Sequence, residues 1–191
     1  MNPAAQGIER ELQARGAILR GHFRLSSGRH SDRFVQKFRL LEDPAVLEPL
    51  ARQIADAFRD AAPTIVVSAA VGGILLGYEV ARALRTKAVF VEKESGVPLF
   101  RRGFHVDASD RALIVEDVIT TGNSVREVID LVLSAGAAIV GIGAIVRRSE
   151  ASFGFPLHVL LEMPMESYEL QACAQCRRGE PLEDPGSRRT Q

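Results

Sequence analysis

The sequence lacks any apolar run long enough to cross a bilayer, and it has no excess of charge of either sign. A membrane-spanning helix needs about 20 consecutive apolar residues, and no stretch of these 191 residues approaches that length. Lysine and arginine total 24, as do aspartate and glutamate, so no net basic field draws the chain to nucleic acid. Residues 1–16 carry charges where a signal peptide needs its apolar segment. We therefore expect a cytoplasmic protein with neither a membrane nor a nucleic acid as its partner.

Cysteine is also scarce. The chain has two, Cys173 and Cys176, in one Cys-Xaa-Xaa-Cys pair near the C-terminus. A structural zinc site usually has four ligands, so this pair lacks two partners. A redox pair normally follows a strand and opens a helix, which the flanking residues do not indicate. The pair is therefore predicted to be a surface thiol pair without a catalytic role.

Short apolar runs alternate with amphipathic stretches, and this alternation predicts an α/β fold with a mainly parallel, open sheet flanked by helices. Residues 17–41 instead alternate around a Ser-Ser-Gly turn, which predicts a small β-containing subdomain. The expected organisation is a single domain with an N-terminal helix and β-rich segment (1–42), a core (43–172) and a polar, exposed tail (173–191). Helices are predicted at 6–15, 44–59, 74–84 and 124–135, strands at 64–68, 87–91, 112–115, 139–146 and 158–161, and a loop at 94–106.

The most informative segment is 112–124, ALIVEDVITTGNS. Its four apolar residues predict a buried parallel strand, whose carboxyl end is where open α/β sheets bind ligands. Glu116 and Asp117 stand at that end, and their carboxylates can accept hydrogen bonds from a vicinal diol such as that of ribose. The turn that follows opens a helix, so its N–H groups and hydroxyls suit a phosphate monoester. Together these features indicate ribose 5-phosphate, although a strand cap followed by an ordinary turn is the simpler alternative.

This segment resembles the signature of the type I phosphoribosyltransferases. The resemblance implies that family's fold, with a hood over the base site, and the transfer of a phosphoribosyl group from 5-phosphoribosyl 1-pyrophosphate to a base. It also implies Mg²⁺ carried on the pyrophosphate of the donor, with no protein cage for the metal. Glu116 and Asp117 would hold the ribose hydroxyls. The 5-phosphate would be bound by Thr120, Thr121, Gly122, Asn123 and Ser124.

Other segments resemble the orotate phosphoribosyltransferases in particular. Residues 16–34, GAILRGHFRLSSGRHSDRF, are similar to that family's N-terminal signature, which forms the hood. The resemblance places Ser26 and Phe34 at the substrate, although an ordinary β-hairpin is the alternative for this segment. Arg148 stands where the family has an arginine that pairs with the orotate carboxylate, although a solvated surface arginine is common at a strand end. The pyrophosphate-binding loop would comprise Ala70, Val71 and Gly72, with a peptide bond at about Ala70–Val71 that is sometimes cis in the family.

The lid segment departs from the family's pattern. Orotate enzymes commonly carry Arg-Lys-x-x-x-Lys-x-His there, whereas residues 92–104, EKESGVPLFRRGF, contain no histidine and begin with Glu92. Lys93 is retained, and Arg101 or Arg102 could supply the missing cations. These three residues and Asp117 are the predicted catalytic residues. Two other cations of the family are absent, since Ser26 and Gly72 stand at positions often held by lysine. The candidates to replace them are Lys37, Arg24 and Arg29.

The resemblance therefore implies synthesis of orotidine 5′-monophosphate from orotate, a step of de novo pyrimidine (UMP) biosynthesis. It also implies a homodimer in which the lid loop reaches the neighbouring subunit. One alternative is a purine or uracil phosphoribosyltransferase, which an assay of several bases would reveal. Another is a non-catalytic regulator that senses 5-phosphoribosyl 1-pyrophosphate, but the chain has little room for an added DNA-binding domain and no net positive charge.

Overall fold

The computed structural model describes residues 3–25 and 28–185, and the chain divides into two compact units. The smaller unit comprises residues 1–40 and 164–191, and the larger one residues 41–163. Within the described ranges, no helix combines the length and the apolar character needed to cross a membrane. The helices are α1 (Pro3–Ala14), α2 (Phe38–Leu41), α3 (Pro44–Phe58), α4 (Gly72–Leu84), α5 (Asn123–Ser134) and α6 (Ala174–Arg177). The strands are β1 (Ile18–Arg24), β2 (His30–Val35), β3 (Ile65–Ala69), β4 (Lys87–Glu94), β5 (Val97–Phe100), β6 (Arg111–Ile119), β7 (Ala138–Arg147) and β8 (Leu157–Glu162).

The larger unit is built on a six-stranded sheet in the order β5-β4-β3-β6-β7-β8. All neighbouring pairs are parallel except β4 and β5, which are antiparallel. The predicted α/β fold with a mainly parallel sheet flanked by helices is confirmed. From β3 the chain passes to β4 on one side and later to β6 on the other. The crevice at the carboxyl ends of β3 and β6 is therefore the place where an open sheet binds its ligand.

Helices cover both faces of this sheet. Val67 of β3 packs into the core cluster that contains the buried face of α5. Its neighbour Ser68 points to the opposite face, because successive strand residues alternate, and there it contacts α4. The approach is close, since a Cβ added at Gly77 would lie 2.8 Å from Ser68 Oγ. Gly77 thus lets α4 pack directly against Ser68 near the end of β3.

Most predicted helices and strands are present, with two differences that matter for the site. The strand predicted at 112–115 continues to Ile119, because its last residues pair with β7 through Val118 with Val146 and Ile119 with Arg147. The prediction of a loop at 94–106 was wrong for residues 97–100, which form β5 and fold back on β4. The turn between them uses positive φ angles at Ser95 (50°) and Gly96 (86°).

The smaller unit contains the predicted β-rich segment, in which β1 and β2 form an antiparallel hairpin. The C-terminal segment is hydrogen-bonded to this hairpin at two places. His30 and Tyr168 exchange two backbone hydrogen bonds of 2.8 Å, and the backbone of Glu183 bonds to His22 and Arg24, also at 2.8 Å. Cys173 is 1 % exposed, so the prediction of a surface thiol pair was wrong for this residue. The sequence pattern did not reveal the burial because the covering strands are distant in the chain.

Candidate active site

The predicted substrate-binding residues of the larger unit follow three neighbouring strands of the sheet. Residues 70–72 follow β3, residues 120–122 follow β6, and Arg148 follows β7. Adjacent strands lie about 4.8 Å apart, so these three segments stand side by side at the carboxyl edge of the sheet. A backbone hydrogen bond of 2.8 Å from Arg148 N to Ile119 O joins the last two directly.

A small, open pocket lies at the loop between β6 and α5. Gly122 caps α5 with a φ of 81° and, having no side chain, makes no side-chain hydrogen bond to the first turn. The N–H groups at this helix start can therefore meet an anion, together with the hydroxyls of the loop. The pocket is lined by Glu116, Val118, Ile119, Thr120, Thr121, Gly122, Asn123, Ser124 and Val125. The predicted phosphate-binding residues are thus brought together in one pocket.

The two acids of the motif are buried, with Glu116 7 % and Asp117 2 % exposed. Because β6 continues past them, they are successive strand residues whose side chains point to opposite faces. Glu116 lines the pocket and Asp117 does not. Glu116 Oε1 accepts a hydrogen bond from Asp117 N at 3.1 Å, and Asp117 Oδ1 accepts one from Val118 N at 2.6 Å. Of the two acids, Glu116 is the one at the pocket, and the roles of both at the ribose stay predictions.

The segment between β3 and α4 has the backbone that the resemblance implies. The Ala70–Val71 peptide bond is cis. Val71 is 71 % exposed, and Gly72 is buried at the start of α4. The binding of pyrophosphate by these three residues remains a prediction.

Arg148, the predicted orotate ligand, is half-buried. Its burial lowers the pKa of the guanidinium below its usual value. Within residues 3–25 and 28–185, its buried Nε has no hydrogen-bond partner. The adjacent Arg147, by contrast, is paired with Glu162 at 2.8 Å and donates to Ala151 O at 3.1 Å. Arg148 is thus the arginine of this pair with donor capacity left for an anionic ligand.

The three predicted lid cations are all held by acids on the surface of the larger unit. Lys93 in β4 pairs with Glu127 of α5 at 2.7 Å. After β5, Arg101 pairs with Glu94 at 3.3 Å and Arg102 with Glu92 at 2.9 Å. The hydrogen bond from Arg102 lowers the pKa of Glu92, and the same bond raises the pKa of Arg102. Glu92, which departs from the family's pattern, therefore serves here as the partner of Arg102.

The predicted hood residues belong to the smaller unit. Phe34 lies in β2, partly exposed, with its ring centroid 5.9 Å from that of Phe23. Ser26 lies outside the described residues. Two of the proposed replacement cations are held by the C-terminal segment, since Arg24 pairs with Asp184 at 2.6 Å and Arg29 pairs with Glu169. The third, Lys37, lies 5.7 Å from the ring centroid of Phe38.

Two residues outside the predicted site support the loop between β6 and α5. Arg126 Nη1 donates to Thr121 O at 2.9 Å, and its guanidinium lies 5.2 Å from the ring centroid of Phe153. The Phe153 ring in turn covers Gly122, where an added Cβ would lie 2.9 Å from it. The position of Arg126 in the first turns of α5 was a local signal for this contact. Phe153 had none, because it reaches the loop from beyond β7.

Known proteins share this architecture and motif. Residues 39–153 match the sequence family described as "Phosphoribosyl transferase domain", so fold and site define a phosphoribosyltransferase. The orotate phosphoribosyltransferase of Caldanaerobacter subterraneus subsp. tengcongensis is 43 % identical over 90 % of this chain and 92 % of its own length. That of Pelotomaculum thermopropionicum is 44 % identical over 93 % and 95 %. The chain belongs to the orotate phosphoribosyltransferase family.

Solved structures agree with this assignment. The crystal structure of orotate phosphoribosyltransferase from Aeropyrum pernix matches with a TM-score of 0.69 and 27 % identity, over 81 % of this chain and 93 % of that one. The Mycobacterium tuberculosis H37Rv enzyme, in complex with Fe(III) dicitrate, matches with a TM-score of 0.71 over 84 % and 97 % of the two chains. At 23 % identity, the second match supports the fold alone.

Proposed function

We propose that this chain transfers the 5-phosphoribosyl group of 5-phosphoribosyl 1-pyrophosphate to orotate, giving orotidine 5′-monophosphate and pyrophosphate in de novo pyrimidine biosynthesis. The main support for the proposal is the pocket that is lined by the buried Glu116 and by the hydroxyl-rich loop at the start of α5. The loop would bind the 5-phosphate of the donor, and the carboxylate would accept hydrogen bonds from its ribose diol. The choice of orotate as the base rests on the relatives, which are named for it.

In the reaction, the bond between C1 of the ribose and the pyrophosphate oxygen breaks, and a bond from N1 of orotate to C1 forms. N1 gives up its proton to the solvent, and pyrophosphate leaves with the electron pair of the broken bond. Such a transfer passes through an oxocarbenium-like state and needs no covalent nucleophile, so the protein acts by positioning and by stabilising charge. Thr120, Thr121 and Ser124 would hold the 5-phosphate with the N–H groups of α5. Glu116 would fix the ribose at the neighbouring end of β6.

The donor is expected to enter as its magnesium complex. Magnesium usually binds through one or two carboxylates together with substrate phosphates and water. The pocket lining offers one carboxylate, Glu116, and otherwise hydroxyl, amide and apolar side chains, which fits an ion held mainly by the phosphates of the donor. In that complex the ion would neutralise charge on the leaving pyrophosphate.

The remaining predicted residues complete the proposal. Arg148 would bind the orotate carboxylate, which a guanidinium can contact with two parallel hydrogen bonds. Lys93, Arg101 or Arg102 would leave its surface acid and contact pyrophosphate when the lid closes. Exposed ion pairs contribute only about 0–1 kcal/mol, so this exchange of partners costs little. We further propose a cytoplasmic homodimer in which the lid acts on the neighbouring subunit.

The test follows the orotate absorbance band after purified protein is mixed with orotate, Mg²⁺ and 5-phosphoribosyl 1-pyrophosphate. We expect the band to disappear with the wild-type protein and to persist with Glu116→Gln. Glu79→Gln, which removes an acid of α4 away from the pocket, is the matched control and should react like wild type. Turnover of a purine or of uracil without turnover of orotate would overturn the choice of base. Binding of the donor without turnover of any base would overturn the enzymatic function.

A further inference from the structure

Four potential metal ligands that play no part in the proposed reaction meet inside the smaller unit. These are His22, His30, Cys173 and Cys176, and their ligand atoms all lie within 4.8 Å of one another. His22 Nε2 lies 2.9 Å from His30 Nδ1, and Cys176 Sγ lies 3.1 Å from the same His30 atom. Cys173 Sγ lies 3.4 Å from His22 Nε2. The two histidines are 3 % exposed and Cys173 is 1 % exposed.

Three separate backbone features bring these side chains together: a bulge in β1, two bridges to the C-terminal segment, and a hydrogen bond to the backbone of Gly21. The β1–β2 register shifts between Arg20 and Phe23, so that Gly21 and His22 stand opposite a single residue of β2. Such a bulge changes the direction of the side chains it contains. The Cys-Xaa-Xaa-Cys pair lies between the two places where the C-terminal segment bonds to the hairpin, at His30–Tyr168 and Phe23–Glu183. Gln175, between the cysteines, donates to Gly21 O at 3.0 Å.

The hydrogen bonding around His22 leaves one ring nitrogen directed at the cluster. His22 Nδ1 lies 3.0 Å from Glu180 O, and because a carbonyl oxygen only accepts, Nδ1 carries the hydrogen. In the neutral ring, Nε2 then holds a single lone pair. Three atoms surround that lone pair, His30 Nδ1 at 2.9 Å and the two sulfurs at 3.4 and 3.5 Å. One lone pair cannot accept three hydrogen bonds, whereas a single cation can bind all four groups.

We propose that these four side chains bind one zinc ion in a tetrahedral site. Zinc prefers sulfur and imidazole nitrogen ligands, with Zn–S near 2.3 Å and Zn–N near 2.0–2.1 Å, so that tetrahedral ligands stand about 3.3–3.8 Å apart. The measured separations of 2.9, 3.1, 3.4 and 3.5 Å need only small adjustments. The bond from His22 Nδ1 to a backbone carbonyl is the second-shell contact that orients a ligating imidazole.

The proposed site is structural. All four positions are filled by the protein, which leaves none for water or substrate. The ion would join the β1–β2 hairpin to a segment about 150 residues later in the chain, since His22 and Cys173 are 151 residues apart. A small unit has a limited apolar core, and a metal is a common way to stabilise it. This proposal is independent of the proposed transferase reaction.

Metal analysis of the purified, untagged protein tests the proposal. We expect one zinc per chain in the wild type. In Cys176→Ser and His30→Gln we expect a zinc affinity, measured by competition with a chelator, that is at least about tenfold weaker, because a ligand contributes at least as much as a second-shell partner. His105→Gln is the matched control, since His105 is an exposed histidine outside the cluster, and it should keep its zinc. A wild type without zinc, or with another metal, would overturn the assignment. So would an intact mass two hydrogens lower, which would show a Cys173–Cys176 disulfide.

A second measurement applies to the wild type, so it does not depend on whether the variants fold. The protein is stripped with a chelator and titrated with Co²⁺ alone. We expect intense visible ligand-field bands of a tetrahedral site and a near-ultraviolet band from thiolate-to-metal charge transfer. Both should saturate at one Co²⁺ per chain and disappear on addition of Zn²⁺. Weak bands of an octahedral ion without the charge-transfer band would contradict the proposal.

Discussion

Gly122 combines two constraints at one residue. Its φ of 81° lies in the left-handed region, and a Cβ there would stand 2.9 Å from the Phe153 ring and 3.0 Å from Arg126 Nη1. Gly154 has a similar φ of 75° but open space around it. Comparing the two glycines therefore separates the cost of the backbone conformation from the cost of crowding at the phosphate loop.

We expect Gly154→Ala to lower the free energy of unfolding by about 1–2 kcal/mol, the cost of a left-handed residue with a Cβ. Gly122→Ala should lower it further, because Phe153 and Arg126 must also move. It should in addition raise the KM for 5-phosphoribosyl 1-pyrophosphate, which Gly154→Ala should leave unchanged. Urea unfolding and initial rates measure these effects. Equal stabilities and equal KM values for the two variants would rule out crowding at the loop.

Arg148 and Arg147 form a second matched pair, because they are adjacent and, of these two, Arg148 alone has a buried Nε without a hydrogen-bond partner among the described residues. We expect Arg148→Gln to raise the KM for orotate about 10- to 100-fold, since a hydrogen bond to a charged group contributes about 1.5–3 kcal/mol. The KM for the donor should change little. Arg147→Gln, which instead breaks the pair with Glu162, should leave the KM for orotate near wild type. An unchanged KM for orotate in Arg148→Gln would remove this residue from the base site.

Among the elements, the β4–β5 hairpin and the residues after it carry the predicted lid cations. Their ion pairs are exposed, with side chains of Lys93 53 %, Arg101 45 % and Arg102 65 % accessible. Because Arg102 lowers the pKa of Glu92, their pair is intact at neutral pH. It is lost only as the pH falls through that lowered pKa. At neutral pH the proposed contact of Arg102 with pyrophosphate would therefore have to replace its ion pair with Glu92.

The single variants Lys93→Ala, Arg101→Ala and Arg102→Ala identify the cation that acts on pyrophosphate. We expect its removal to lower kcat by ~10²–10³, as for other preorganised charge stabilisers, with an unchanged melting temperature because exposed pairs add little stability. Arg52→Ala, which breaks an exposed pair with Glu48 in α3, serves as the control and should keep full activity. If all three lid variants retain wild-type kcat, the lid has no catalytic cation.

At the scale of the whole molecule, the proposed homodimer predicts that two inactive variants recover activity when they are combined in one dimer. One variant lacks the three lid cations, and the other carries Glu116→Gln in an otherwise intact chain. If the lid acts on the neighbouring subunit, a mixed dimer has one site with an intact pocket and an intact lid. Equal mixing should then restore about a quarter of wild-type activity, because half of the dimers are mixed and each has one good site.

Denaturing and refolding the two variants together, followed by the orotate assay, measures this recovery. Sedimentation of the wild type establishes whether the dimer exists. A mixture no more active than the sum of its parents would show that each lid serves its own subunit. The same variants refolded separately provide the baseline.

The sequence by itself determined the features that rest on local signals. The apolar run of β6, the glycine of the turn and the periodicity of α5 are contiguous, so 112–124 predicted the strand, the turn and the helix of the candidate site without any tertiary information. The resemblance of a single segment also predicted the cis peptide bond at Ala70–Val71, because it is a property of one loop. The role of Arg148 stays a prediction.

Only the tertiary structure decided the features that depend on partners distant in the chain. Pairing with β7 extends β6 past Glu116 and Asp117 and so turns the two acids to opposite faces. The antiparallel pairing of β5 with β4 orders the segment that precedes Arg101 and Arg102, two of the predicted lid cations. Two histidines of the hairpin lie beside the cysteine pair, so the folded chain brings four potential metal ligands together where the sequence showed only two. Side chains more than 100 residues apart meet only when backbone hydrogen bonds and burial bring their strands together, and no local pattern encodes that meeting.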